Sequence, residues 1–95
     1  MSELQFEWDT RKAAANLARH GVSFDEASTV FRNPLGRDIP DDEHSSVYEQ
    51  RFVTVGISDE ERLLYVSFTM RGDRIRIIGA RKATRSERLS YEEGL

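Results

Sequence analysis

Residues 51–82 read RFVTVGISDEERLLYVSFTMRGDRIRIIGARK, and the class of fold follows from this stretch. Side-chain character repeats with a period of two over residues 51–58, 63–70 and 74–81, which predicts three strands. Asp59-Glu60-Glu61 and Arg71-Gly72-Asp73 separate them. Turns this short leave no room for a crossover, so the neighbouring strands must run antiparallel, as a three-stranded meander. In the third strand Arg74-Ile75-Arg76-Ile77 alternates strictly. If isoleucine faces the core, the arginines point outward from a rigid sheet.

On the C-terminal side, Thr84 and Glu87 form a capping box that opens a helix to about residue 93, anchored to the sheet by Leu89 and Tyr91. On the N-terminal side, residues 35–50 hold Gly36, Pro40 and the acids Asp38, Asp41, Asp42 and Glu43. They read as a loop with a short strand near residues 37–39, its acids keeping an exposed connection soluble. Further back, Ser23 and Glu26 suggest a reciprocal capping box for a helix to about Arg32 that buries Phe24, Ala27, Val30 and Phe31, with Asn33-Pro34 ending it. Asp9 caps an earlier helix over residues 10–20, with Ala13 and Leu17 on its apolar stripe and Gly21 as its stop. Phe6-Glu7-Trp8 alternates as a short first strand. The expected fold is therefore α+β: an antiparallel meander plus a short N-terminal strand, with two N-terminal helices and one C-terminal helix.

Composition narrows the chemistry. A chain of 95 residues is one domain's worth, with one modest core. It has no cysteine, which removes disulfides, thiolate nucleophiles and cysteine-based zinc sites, and fits a reducing cytosol. No signal peptide or membrane span is expected, so the chain reads as cytoplasmic. The net charge of −3 argues against a generic nucleic-acid binder, but residues 1–50 carry −5, residues 51–95 carry +2, and residues 71–88 alone carry +5. Such a patch steers a polyanion locally. Twelve of the fourteen basic residues are arginine, whose fork-shaped guanidinium grips phosphate through paired hydrogen bonds.

The candidate site residues follow from this patch. Arg71, Arg74, Arg76 and Arg81 fall within eleven residues on or beside one strand, with Lys82 next. Fixed positive charges on a sheet suit a phosphorane, because they need no reorganisation as charge develops. Glu49 and Arg51 stand two apart; at a strand start they share a face, where a carboxylate can take a 2′-hydroxyl proton while the guanidinium holds phosphate. His44, in a polar His-Ser-Ser loop, can serve as acid or base. Trp8 and Lys12 are further candidates for contact with RNA, Trp8 by stacking on a base. For each residue a plain surface ion pair, a solvated loop position or, for Trp8, a place in the core competes with the functional reading. No metal or cofactor motif is present: two histidines without cysteine lack familiar zinc spacing, and the acids of residues 38–43 lack a calcium-loop pattern.

Taken together, Phe6-Glu7-Trp8-Asp9, Lys12, Asn16, the run from His20 to Phe24, Ala27, Phe31, His44-Ser45, Glu49, Arg51, Val55-Gly56 and the block from Thr69 to Glu92 resemble the BrnT family of toxins from type II toxin–antitoxin pairs. The resemblance covers nearly the whole chain. It implies a RelE-like fold and RNA cleavage that blocks translation; with the RNA's own 2′-oxygen as the attacking group, such an endoribonuclease requires no metal or cofactor. It also implies a BrnA-like antitoxin whose ribbon–helix–helix half binds operator DNA, so that the toxin meets DNA only indirectly. Carried over by residue, it points to Glu49, Arg51, Arg71, Arg76 and Arg81 as the working set, with Trp8, Lys12 and His44 behind them. Gly79 departs from the family, where serine is the more usual residue. A non-catalytic module docking RNA or an acidic protein on the same basic face is the alternative.

Overall fold

The three expected antiparallel strands stand at the centre of a larger sheet. The computed structural model of the chain describes residues 4–32 and 37–94. Within them the order is β1 (Gln5–Glu7), α1 (Thr10–His20), α2 (Phe24–Thr29) with a 3₁₀ turn (Val30–Arg32), β2 (Arg37–Asp41), β3 (Arg51–Ile57), β4 (Leu63–Arg71), β5 (Arg74–Lys82) and α3 (Arg85–Glu93). The sheet is five-stranded and mixed, ordered β1-β5-β4-β3-β2. The expected antiparallel sheet is thus corrected at one edge, where β1 lies parallel to β5. At the other edge the residues read mainly as a loop supply β2, antiparallel to β3. Pro40 is tolerated there because an edge strand can spare the N–H it lacks. The expected helix end at Asn33-Pro34 lies outside the described residues.

Helices α1 and α2 cover one face. Val22, Phe24, Ala27 and Val30 pack against Leu64, Val66, Phe68, Ile75, Ile77 and Ala80. Phe6, Phe31, Phe68 and Phe52 continue this core as a chain of ring contacts at 5.5, 4.9 and 5.5 Å. Trp8 joins it edge-on to Phe24, at 6.0 Å between centroids. The core alternative for Trp8 therefore holds. Helix α3 covers part of the opposite face, where Tyr91 meets Val53, Val55 and Leu63.

Four local expectations change. Leu89 is 47 % exposed and Tyr91 only 5 %, so of these two only Tyr91 anchors α3; two positions apart on a helix means roughly 200° of rotation, and only one can face the sheet. Leu17 is likewise exposed. Helix α1 docks through Ala13, which packs against the core, and through Asn16, whose side-chain amide donates to Ala80 O at 2.8 Å and accepts from Ala80 N at 3.2 Å. β1 pairs only with residues 74–76 of β5, so Asn16 satisfies a stretch of edge that β1 does not reach. Helix α2 is shorter than expected, tightening after Thr29 into the 3₁₀ turn. Its capping box is half made: Ser23 Oγ accepts from Glu26 N at 3.0 Å, but the Glu26 carboxylate turns inward to Ser58 Oγ at 2.7 Å and to Arg62. The Thr84–Glu87 box is complete.

Candidate active site

The strand registers build the site. Glu7, Arg76, Thr69, Arg51 and Asp41 are successive cross-strand partners, one from each of the five strands. Strand alternation puts this row on the α3 side of the sheet, beyond the part that Tyr91 covers. With strands about 4.8 Å apart, Arg76 and Arg51 rise roughly 10 Å from each other. Between them Thr69 is buried, its hydroxyl donating to Gln50 O at 2.7 Å.

Each end of the row carries an ion pair. Arg76 Nη1 donates to Glu7 Oε2 at 2.7 Å, and Arg51 Nε to Glu49 Oε1 at 2.9 Å. Glu49 does meet Arg51, but from a turn before β3: Ser46 N donates to Glu49 O at 2.7 Å and Ser46 Oγ accepts from Glu49 N at 3.0 Å. Asp41, read from sequence as a solubilising acid, holds His44 Nδ1 at 3.0 Å. Ser45 Oγ clips this loop to the sheet, donating to Asp41 O at 2.6 Å and accepting from Arg51 N at 2.8 Å. A histidine–aspartate pair and a glutamate–arginine pair thus share one cross-strand position. Among the described residues His44 Nε2 has no partner, leaving it free for proton exchange.

Arg71 and Arg74 complete the cluster. They are cross-strand partners at the tip of the β4–β5 hairpin, both exposed. Among the described residues neither has a carboxylate partner. Two facing guanidinium groups repel, and an anion between them would relieve that repulsion.

Arg81 stands apart. It lies five residues beyond Arg76, about 15 Å along the strand. Glu87 holds it through two bonds of 2.7 and 2.9 Å, and its guanidinium sits 3.9 Å above the Tyr65 ring. The paired guanidinium draws the Glu87 carboxyl below its ordinary pKa, while burial raises that of Tyr65. The arginines expected to form one outward face are therefore in two groups, with Arg76 and Arg81 both engaged by acids. Lys82 is exposed at the end of β5. Lys12 is exposed on α1, where its backbone N–H and that of Arg11 donate to the capping Asp9 carboxylate. The Lys12 amide is the first cause of a lowered Asp9 pKa, and the charges of Lys12 and Arg76 add to it. At Gly79 an added Cβ would stand 3.2 Å from Ser67 Oγ, so a hydroxyl already occupies that side of the strand.

Sequence reasoning missed Asp41, Glu7 and Tyr65 as partners of His44, Arg76 and Arg81. The Asp41-x-x-His44 spacing was the one local signal; the other two pairings depend on strand register. Among the described residues no three of His, Asp and Glu are grouped to hold a metal ion, and no helix is long and apolar enough to cross a membrane.

Comparison with known proteins bears on this face. The family model described as "Ribonuclease toxin, BrnT, of type II toxin-antitoxin system" matches residues 8–87. Among solved structures the chain is similar to the ribonuclease toxin BrnT of Brucella abortus, at 20 % identity and a TM-score of 0.67, over 87 % of this chain and 100 % of that one. Comparison with curated proteins finds no match. The family match includes β3, β4, β5 and every candidate residue from Trp8 to Lys82, and the chain belongs to the BrnT family of ribonuclease toxins of type II toxin–antitoxin systems.

Proposed function

We propose that the chain is a cytoplasmic endoribonuclease that cleaves RNA without a metal ion and so blocks translation. One observation carries the siting: among the described residues Arg71 and Arg74 face each other without a carboxylate between them, beside Arg76 and the Arg51–Glu49 pair. A scissile phosphate would sit against this cluster. Glu49 would take the proton of the 2′-hydroxyl, and that oxygen would attack the adjacent phosphorus. The P–O5′ bond would break, leaving a 2′,3′-cyclic phosphate and a 5′-oxygen that receives its proton from His44 Nε2. Asp41 would orient His44, while Arg51, Arg71 and Arg76 stabilise the charge gathering on phosphorus-bound oxygens. Arg74 would hold that phosphate from the other side of Arg71, while Arg81, with Lys12 and Lys82, would contact the RNA backbone away from the cut. Trp8 serves the core in this reading.

The same reading covers the whole chain as one domain of RelE-like kinship, with two helices on one sheet face and one on the other. The antitoxin that a type II system requires would be BrnA-like, covering the basic face with an acidic or helical segment and meeting operator DNA on the toxin's behalf. The test is cleavage of a synthetic RNA in the presence of chelator, with analysis of the ends. Cyclic-phosphate ends, full activity in chelator and no cutting of a fully 2′-deoxy strand are expected. Loss of activity in chelator, or 5′-phosphate ends, would contradict the mechanism.

A further inference from the structure

The loop between β2 and β3 holds two large side chains that the fold does not use. Val47 is 96 % exposed and Tyr48 98 %. Exposure alone does not mark a site; the setting of the ring does. The ring is carried on a built turn: Ser46 Oγ accepts from Tyr48 N at 3.2 Å and from Glu49 N at 3.0 Å, while Ser46 N closes on Glu49 O at 2.7 Å. The backbone beneath Tyr48 is thus tied to the backbone of Glu49, the group placed above as the base.

Tyr48 also walls a cleft of about 550 Å³ at the end of the sheet, with Glu49, Gln50, Phe52, Thr69, Met70 and Arg71 around it. That volume lies within the range of small-molecule sites, roughly 300–1,000 Å³. Its lining suits one nucleotide. The tyrosine offers a π-face, Met70 an apolar wall and Gln50 an amide that can donate and accept. Arg71 supplies positive charge and Glu49 the base. An apolar protein side chain would have little use for the three polar groups.

We infer that Tyr48 is a base-stacking residue that seats the nucleotide beside the scissile phosphate and so aligns its 2′-hydroxyl with Glu49. This rests on the ribonuclease reading and adds a substrate contact to it. Stacking is tolerant of sequence and nearly independent of salt, whereas each phosphate contact steepens the salt dependence of single-strand binding by about 0.7 in log–log slope. The two kinds of contact can therefore be separated at this one cleft.

The probe is a short mixed-sequence RNA with methylated 2′-oxygens, which can bind but cannot be cut; the unmodified RNA reports cleavage. Tyr48→Ala should weaken binding roughly 5- to 150-fold, the range for losing one base–aromatic stack, on a salt line parallel to wild type. Arg71→Ala should give a shallower line. Tyr48→Phe and Tyr48→Trp should restore both binding and cutting. Wild-type binding and cleavage by Tyr48→Ala would overturn the inference and leave the ribonuclease reading standing. A wild-type protein that neither binds nor cuts RNA would overturn both. Loss of antitoxin affinity in Tyr48→Ala, with RNA binding intact, would reassign the ring to protein docking and overturn the inference.

Discussion

Two ion-paired regions use the same residue types for opposite ends. Behind α2, Glu26 is 5 % exposed and fully engaged by Ser58 and Arg62, with Arg62 reaching on to Gly21 O at 3.1 Å. That group ties the start of α2 to the β3–β4 turn. On the α3 side of the sheet, Arg76–Glu7 and Arg51–Glu49 are about one-quarter to one-third exposed, and among the described residues the adjacent Arg71 and Arg74 have no acid partner. Counting arginines does not find the site. What separates structure from chemistry is burial together with the sign of the surplus charge: the first region buries a carboxylate beside an acidic turn, and the second is open and positive.

The largest expected effect lies in the open region. Glu49→Gln keeps shape and hydrogen bonding but cannot take a proton, so single-turnover cleavage should fall about 10²- to 10⁴-fold. Binding of uncleavable RNA should persist, and stability should change by no more than about 0.5 kcal/mol. Full cleavage by folded Glu49→Gln would move the role of base to His44 or Lys12.

The closed region should respond in the opposite sense. Arg62→Ala strands a buried carboxylate; because Arg62 is itself partly exposed, the cost should be about 2–3 kcal/mol, below that of a fully buried pair. The cleavage rate of the folded fraction should not move. Acid sharpens this. The Arg62 guanidinium lowers the Glu26 pKa from 4.5 to about 2. The stability this provides is complete above 4.5 and lost as pH falls through about 2. Denaturant unfolding across that window should show a steeper slope in wild type than in Arg62→Ala, with Asp9 and Glu87 contributing to both; equal slopes would remove Glu26 from the explanation.

The three central strands were legible because their residues alternate and their turns are short. The edges were not. β1 has three residues and takes its direction from β5, while β2 carries Pro40 and a run of acids and becomes a strand by pairing with β3. The arginines were legible as a patch, since they crowd one stretch of chain. Their division into groups was not, because it rests on the position of Arg76 opposite Thr69 and of Arg81 opposite Tyr65, with a register shift between Ser67 and Phe68. Glu26 shows the same limit. Its spacing from Ser23 fits a capping box, and only tertiary packing sends its carboxylate to Arg62 instead.

A smaller effect should separate the two ends of β5. Arg81 is neutralised by Glu87 and stands about 15 Å from Arg76 along the strand. Arg81→Ala should therefore cost about tenfold or less in cleavage, chiefly as weaker, salt-sensitive RNA binding. A loss equal to that of Arg76→Ala would join the two groups into one site.

The decisive comparison is single-turnover cleavage of one short RNA by wild type and by the Arg71→Ala, Arg74→Ala double variant, with thermal unfolding of both. If the unneutralised pair holds the reacting phosphate, the rate should fall at least about 100-fold, while the unfolding temperature holds or rises as the repulsion is removed. A double variant that folds normally and cuts at the wild-type rate would show that the scissile phosphate lies elsewhere.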